Sequence, residues 1–489
     1  MNIVIVGGGT AGWLAALILS RIYNHNITVI ESSKIGIIGV GEGATHVVGS
    51  LINSNTDLGF DPRSFMDDVQ GTMKIAVQHS GWPNTYSLPL DILPNTERED
   101  FLPLMISQNK NIRDISPLGL FLSEDKVPIR KDETGVWTET EWSYHFDGHL
   151  IGKWLKDQSK NVKVIDAVVS EVNVDKDGIK SLTLEDGSMV TSELYIDCTG
   201  FKKLLMNKLD NKWISYSKHL ILNSAVPFRL PDHRPIGIYT GAEAMSAGWS
   251  WKIPLFDTIG FGYVYCDEFI NYDEVIKELE MRHPKFDINP GKHIKFEAGR
   301  LENMWQKNCV SLGLASAFVE PLEATSVHAT KLQIDALGES LKNQSSRTSY
   351  NNDMAKIYDD IKDFIVLHYS GGRADTPFWK YCASGEIMTD RVKDILEIAS
   401  HRMLTEEDIP NPHNHLSYRA WNHVLAGLGK FSKEVAEKSI TAGMENRYNV
   451  WKNTTLNKIQ DYKDVEYALK NGDWADSVVA KDYYKIMTR

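Results

Sequence analysis

Cysteine is scarce in this 489-residue chain: Cys198, Cys266, Cys309 and Cys382 are the four, and no CxxC occurs. That spacing argues against a disulfide scaffold, a zinc ribbon and a thioredoxin-like centre, and fits a reducing cytoplasm. Basic charge is also short. Lys and Arg number 53 against 65 Asp and Glu, a formal charge of −12, which argues against nucleic acid, whose phosphates call for clustered cations. No apolar run is long or apolar enough to span a bilayer, so no membrane partner is expected. The apolar start MNIVIVGGG lacks a basic flank and a cleavage site, and reads as a first strand, not a signal peptide. Internal repeats and long low-complexity tracts are absent. What remains, 42% hydrophobic and 24% charged, is an ordinary globular composition, long enough for two or three regions sharing one small-molecule site.

Residues 3–6 form a short apolar run that feeds Gly7-Gly8-Gly9-Thr10-Ala11-Gly12. Residues 13–23 have helical character, and residues 27–30 read as a second strand ending at Glu31. Strand, glycine turn, helix, strand and acid make the βαβ opening of a dinucleotide fold. Gly7, Gly9 and Gly12 let backbone approach a pyrophosphate at a helix N-terminus, with Thr10 and Ala11 in the same turn, and Glu31 suits ribose hydroxyls. Further on, residues 168–174 and 179–184 carry hairpin signals, and a strand over 194–197 ends in Cys198-Thr199-Gly200. After about residue 327 the pattern is mostly helical, over 327–341, 354–368, 387–403 and 433–451, with polar 342–353 reading as a loop.

Three further segments carry chemistry. In Gly248-Trp249-Ser250-Trp251-Lys252-Ile253-Pro254 two indoles fall on one face of an extended segment, and the proline is expected to keep that segment out of a sheet interior. Such rings can wall off a cavity. Thr72-Met73-Lys74-Ile75-Ala76 sets one cation in an apolar stretch, where on the residues alone a lysine would face solvent. Phe318-Val319-Glu320-Pro321-Leu322-Glu323-Ala324-Thr325-Ser326 places Glu323 before a helix, where it can charge the N-terminus. The aromatics of 142–147 and 368–379 read as core and cap packing. The HxH at His413 and His415 has no third ligand at metal spacing and reads as a surface loop.

WxWxIP together with the N-terminal fingerprint resembles the flavin-dependent halogenases of the tryptophan halogenase-like family, over residues 2 to about 429. Tyr195 to Phe201 and Cys309 to Ala317 resemble segments that return to FAD in flavoprotein monooxygenases, although Leu314 follows Gly313 where an Asp is common. Gly39 to Thr45 resembles the strap over the flavin, which adds Val40, Gly41, Glu42 and Ala44 to the cofactor contacts implied at Gly313 and Leu314. The resemblance makes Lys74 and Glu323 the catalytic pair, Thr325 and Ser326 the halide position, and Trp249 and Trp251 the wall that keeps substrate off the flavin. Ala324 stands where tryptophan-specific members usually have serine.

The expected fold is α/β, an FAD-binding Rossmann-like fold of the flavoprotein monooxygenase type with a mixed β substrate region and a C-terminal helical cap. Residues 1–75, 146–205 and 296–341 would form the FAD core, 76–145 and the β-rich 206–295 the substrate regions, and 342–489 the helical region. The implied reaction uses FADH2 from a separate flavin reductase, O2 and a halide ion to make hypohalous acid, which halogenates an indole or phenol through Lys74 and Glu323. No metal is implied, and a homo-oligomer is left open. The rivals are an aromatic hydroxylase of the same fold, with its substrate pocket open to the flavin, and a non-catalytic flavin-binding protein.

Overall fold

The computed structural model describes residues 1–35, 41–53, 58, 60, 62–132, 135–138, 142–231, 237–256, 258–412 and 415–465. Contacts divide the chain into two compact units. One comprises 1–40, 147–218 and 297–362, and the other comprises 41–146, 219–296 and 363–489.

The first unit is built on a six-stranded sheet in the order Lys163–Asp166, Asn26–Glu31, Asn2–Val6, Leu194–Asp197, Cys309–Ser311, Trp305–Gln306. Pairing is parallel throughout except for the last strand, which folds back on Cys309–Ser311 as an antiparallel edge. Such a parallel sheet is buried on both faces, and the strands Asn2–Val6 and Leu194–Asp197 are accordingly apolar almost throughout. The helix Thr10–Arg21 buries its run from Gly12 to Leu19. The hairpin Val169–Asp175 and Gly178–Leu184 forms as its turn signal predicts. The helix Thr325–Asn343 follows the last returning segments of this unit.

The second unit holds a seven-stranded sheet in the order Ile294–Lys295, Ser224–Pro231, Thr258–Tyr265, Gly248–Pro254, Tyr239–Met245, Ala76–Ser80, Tyr86–Pro89. Phe228, Met245, Phe261 and Tyr263 pack there against Val275 and Leu279 of the helix Tyr272–Arg282. A smaller sheet sets Ser143–Asp147 between Gly41–Gly43 and Thr72–Lys74. Towards the C-terminus come the helices Pro377–Ala383, Asp390–His401, Tyr418–Gly427, Lys433–Glu437 and Met444–Ile459. No helix among the described residues is long and apolar enough to cross a membrane.

Four local readings are corrected. Gly248–Pro254 lies in the sheet interior, paired on both sides. Pro254 is tolerated because pairing to Tyr239–Met245 ends at Lys252, so its missing N–H faces no ladder partner there. The polar stretch 342–353 is not a loop, since the helix Arg347–His368 begins within it. Asn351 is recruited inward, its Oδ1 accepting from the Trp305 N–H at 2.8 Å. Residues 433–451 are two helices, broken where left-handed Gly443 caps the second. His415 is buried rather than on a surface loop, its N–H donating to Asn411 Oδ1 at 2.9 Å, and His413 lies outside the described residues.

Candidate active site

In the first unit the glycine turn meets the strand Leu194–Asp197 at its end. Gly7 has φ +113°, and a Cβ there would stand 2.3 Å from the Cys198 carbonyl oxygen; a Cβ on Gly12 would stand 1.9 Å from the Gly7 oxygen. Only glycine fits such backbone contacts. Gly9 differs: a Cβ there would meet nothing within 4 Å among the described residues. Gly9 also caps the helix Thr10–Arg21 without any side-chain hydrogen bond and with no acid in the first turn. The result is an open space at a helix N-terminus whose amides suit a diphosphate.

Glu31 ends the neighbouring strand. Its Oε2 accepts from Trp13 Nε1 at 3.0 Å and its Oε1 from Lys156 Nζ at 2.5 Å. Those bonds pin the carboxylate beside Gly8, whose Cβ would stand 1.9 Å from Oε2. Gly313, φ +60°, brings the later segment back so closely that its Cβ would lie 2.8 Å from that of Ala11, with half-buried Leu314 next in the chain. The open Gly9 cradle, the bare helix end and the pinned carboxylate fit an FAD.

Asp197 carried no role in the sequence. It is buried and accepts from the backbone of Thr199, Leu205 and Met206 and from Thr199 Oγ1, at 2.6–3.0 Å. It thus holds the turn that follows the strand, while burial pushes its carboxyl up despite those bonds. A lone acid at a strand end gives no pattern by which such a role could be read.

Glu323 is also buried in this unit, in a turn where the Ala324 N–H donates to the Pro321 carbonyl at 2.9 Å. Ala324 caps the helix Thr325–Asn343 in the left-handed region, φ 55° and ψ 37°. That conformation costs a non-glycine residue about 1–3 kcal/mol and concentrates at functional sites. Thr325 is buried, and its Oγ1 has no hydrogen-bond partner among the described residues. Ser326 is half-buried beside it.

In the second unit Lys74 is not solvent-facing, as a lone strand lysine would be. It is fully buried, at 0% exposure. The strand Thr72–Lys74 is paired with Ser143–Asp147, which puts Thr72 opposite His145. His145 Nδ1 lies 3.1 Å from Thr72 Oγ1 and Nε2 lies 2.9 Å from Thr240 Oγ1. Burial, and then the charge of Lys74, hold the His145 imidazole well below the usual histidine range. The sequence had read His145 as core packing, which conceals its place beside the lysine.

Of the strap-like segment, Val40 lies outside the described residues. Gly41–Gly43 is a short strand, and the Ala44 N–H donates to the Tyr144 carbonyl at 2.9 Å. Gly41 reaches the large sheet: a Cβ there would stand 3.2 Å from Ile253 of WxWxIP. Half-buried Glu42 follows, and then Gly43 comes up to Lys74. Trp249 and Trp251 are both buried, with ring centroids 6.3 Å apart. Trp82 donates to the Ala242 carbonyl at 3.1 Å and meets Trp379 edge-on at 5.2 Å, joining two segments far apart in sequence.

These features define, in the first unit, a dinucleotide-binding α/β fold of the flavoprotein kind. A family model described as tryptophan halogenase matches residues 2–443. The chain is 32% identical over 422 residues to the 7-chloro-L-tryptophan 6-halogenase KtzR of Kutzneria sp. (strain 744), covering 77% of this chain and 81% of that protein. It is 29% identical over 484 residues to the tryptophan 7-halogenase RebH of Lentzea aerocolonigenes, covering 88% and 89%. The crystal structure of the tryptophan 6-halogenase SttH from Streptomyces toxytricini superposes with a TM-score of 0.86 at 27% identity, over 96% of this chain and 99% of that one. The chain belongs to the tryptophan halogenase family and is a flavin-dependent halogenase.

Proposed function

We propose that this enzyme halogenates a small, electron-rich arene of indole or phenol type by way of hypohalous acid, with Lys74 and Glu323 as its catalytic residues. The observation that carries the reading is the complete burial of Lys74, because an amine removed from water needs a reason to be there. The named relatives act on tryptophan or chlorotryptophan, which favours an indole. Ala324, without a hydroxyl beside Glu323, favours a substrate other than free tryptophan.

Reduced FAD, brought by a separate reductase, would supply the two electrons that activate O2, and O2 is the oxidant that takes halide to hypohalous acid. Gly7, Gly9, Thr10, Ala11, Gly12 and Glu31 would hold its diphosphate and ribose, with Val40, Gly41, Glu42, Ala44, Gly313 and Leu314 completing the contacts. The amides of Thr325 and Ser326, at the positive end of their helix, suit a halide ion. Lys74 then donates a hydrogen bond to hypohalous acid, or carries the halogen on its nitrogen. Glu323 stabilises the cationic ring and takes up the proton that leaves as aromaticity returns. Trp249 and Trp251 keep the arene from the flavin.

The test is mass spectrometry of reactions holding FAD, a reductase, NADH, O2 and chloride, bromide or iodide, with a panel of indoles and phenols. A halogen mass shift lost in Lys74→Ala and in Glu323→Gln is expected. Addition of oxygen instead of halogen, or halogenation untouched by Lys74→Ala, would overturn the assignment.

A further inference from the structure

The surroundings of Lys74 contain a hydrogen-bond chain whose direction can be worked out. Thr72 Oγ1 lies 2.6 Å from the Pro254 carbonyl oxygen. A carbonyl accepts only, so the Thr72 hydroxyl proton is committed to it. Thr72 Oγ1 can then only accept from His145 Nδ1, 3.1 Å away, and the imidazole carries its proton on Nδ1. With the ring neutral, Nε2 is an acceptor, so the Thr240 hydroxyl at 2.9 Å donates to it. The Oγ1 lone pairs of Thr240 are left for another donor.

Gly43 shows which donor is at hand. The point at which a Cβ on residue 43 would stand is 3.1 Å from Lys74 Nζ, 3.1 Å from Thr240 Oγ1 and 3.5 Å from His145 Cδ2. Three side chains from three strands converge on the space that glycine leaves. Lys74, Thr240 and His145 are all buried, and the charge that acts on His145 is that of Lys74.

We propose that His145 is a positioning residue for Lys74. Locked as the neutral Nδ1–H tautomer between two threonines, it turns the Thr240 hydroxyl so that its oxygen, not its proton, is presented to the lysine head. The arrangement favours an ammonium that faces the Thr240 oxygen across the space beside Gly43, a charge–dipole contact. A protonated His145 would reverse the Thr240 hydroxyl and turn its proton towards the amine, so the polarity of the whole chain depends on one ring staying neutral. This rests on Lys74 being the reactive amine.

The structural half is tested without turnover, by nitrogen NMR of the imidazole-labelled full chain, with His145 assigned by its loss in His145→Gln. The neutral Nδ1–H tautomer is expected from pH 6 to pH 9. An Nε2–H tautomer, or an imidazolium at pH 6, overturns the proposal. The functional half uses Thr240→Val, nearly equal in shape, and Thr240→Ser, which restores the hydroxyl. Removal of that oxygen from beside the ammonium should lower kcat by about tenfold in Thr240→Val. KM for the arene should stay unchanged, and the pH–rate limb assigned to Lys74 should move to lower pH, because the ammonium has lost the oxygen dipole that faces it. Thr240→Ser should recover both. An unchanged kcat and limb in Thr240→Val overturns the proposal, whereas activity surviving in Lys74→Ala overturns the catalytic assignment on which it rests.

Discussion

Gly262 stands directly across the ladder from Trp251, and a Cβ on Gly262 would lie 2.0 Å from the indole atoms Cζ2 and Cη2. The ring therefore lies over its neighbouring strand, in space kept open by the glycine. Gly262→Ala must push the indole aside, at a cost of about 1–3 kcal/mol in overpacking. We expect a lower urea midpoint and a shifted tryptophan emission, with a larger effect for Gly262→Val. An unshifted midpoint would show that the ring has free room elsewhere.

Gly9 allows flavin contact to be separated from folding. Since a Cβ at this position meets nothing within 4 Å among the described residues, Gly9→Val should leave the melting temperature of the flavin-free chain within about 1 °C, a surface-like change. FAD affinity should fall about tenfold or more, because the added methyls fill the close approach that the turn provides. Titration of FAD into both proteins, followed by flavin fluorescence, measures this; equal affinities would move the diphosphate away from Gly9.

Ala324 occupies a left-handed backbone position that glycine adopts freely and a β-branched residue resists. Ala324→Val should destabilise the protein by about 1–3 kcal/mol. Ala324→Gly should stay within about 1 kcal/mol of the parent, since relief of strain offsets the greater freedom of the unfolded glycine. Equilibrium denaturation of the pair decides, and equal losses in both would mean that the methyl group, not the backbone, matters.

The pH dependence of stability has a sign fixed by His145. Its imidazole is held below 6.5 by burial and by Lys74. Above pH 6.5 the ring is neutral in folded and unfolded chains alike, and no stability is lost through it. As pH falls below 6.5 the unfolded chain takes up a proton that the folded chain refuses, and stability declines by up to about 1.4 kcal/mol per pH unit. Urea unfolding between pH 5 and pH 7 should therefore show a shallower slope in His145→Gln than in the parent. Parallel slopes would mean that His145 is protonated in the fold.

The dinucleotide turn was legible because every cue for it is local: a strand, three glycines, a helix and an acid within about thirty residues. The burial of Lys74 was not legible in the residues themselves. Its strand is three residues long, too short for any period to declare burial. Pro254 misled because the rule against proline in sheets concerns a missing donor, and whether that donor is needed depends on where the neighbouring strand stops. The start of the helix Arg347–His368 misled for a related reason: Asn and Ser are poor helix formers in isolation, yet Asn351 serves a distant strand. His145, Thr72 and Thr240 come from three separate parts of the chain and share no spacing that sequence could reveal.

The alternation of the chain between its two units also bears on its birth at the ribosome. The strand Asn2–Val6 has Leu194–Asp197, far later in the chain, as one of its sheet neighbours, and that strand in turn waits for Cys309–Ser311. The other unit needs residues beyond 363 before it is complete. Apolar strand edges formed early must therefore remain unsatisfied through much of synthesis, a period in which chaperones compete with aggregation. Holdase co-expression should therefore raise the yield of this protein.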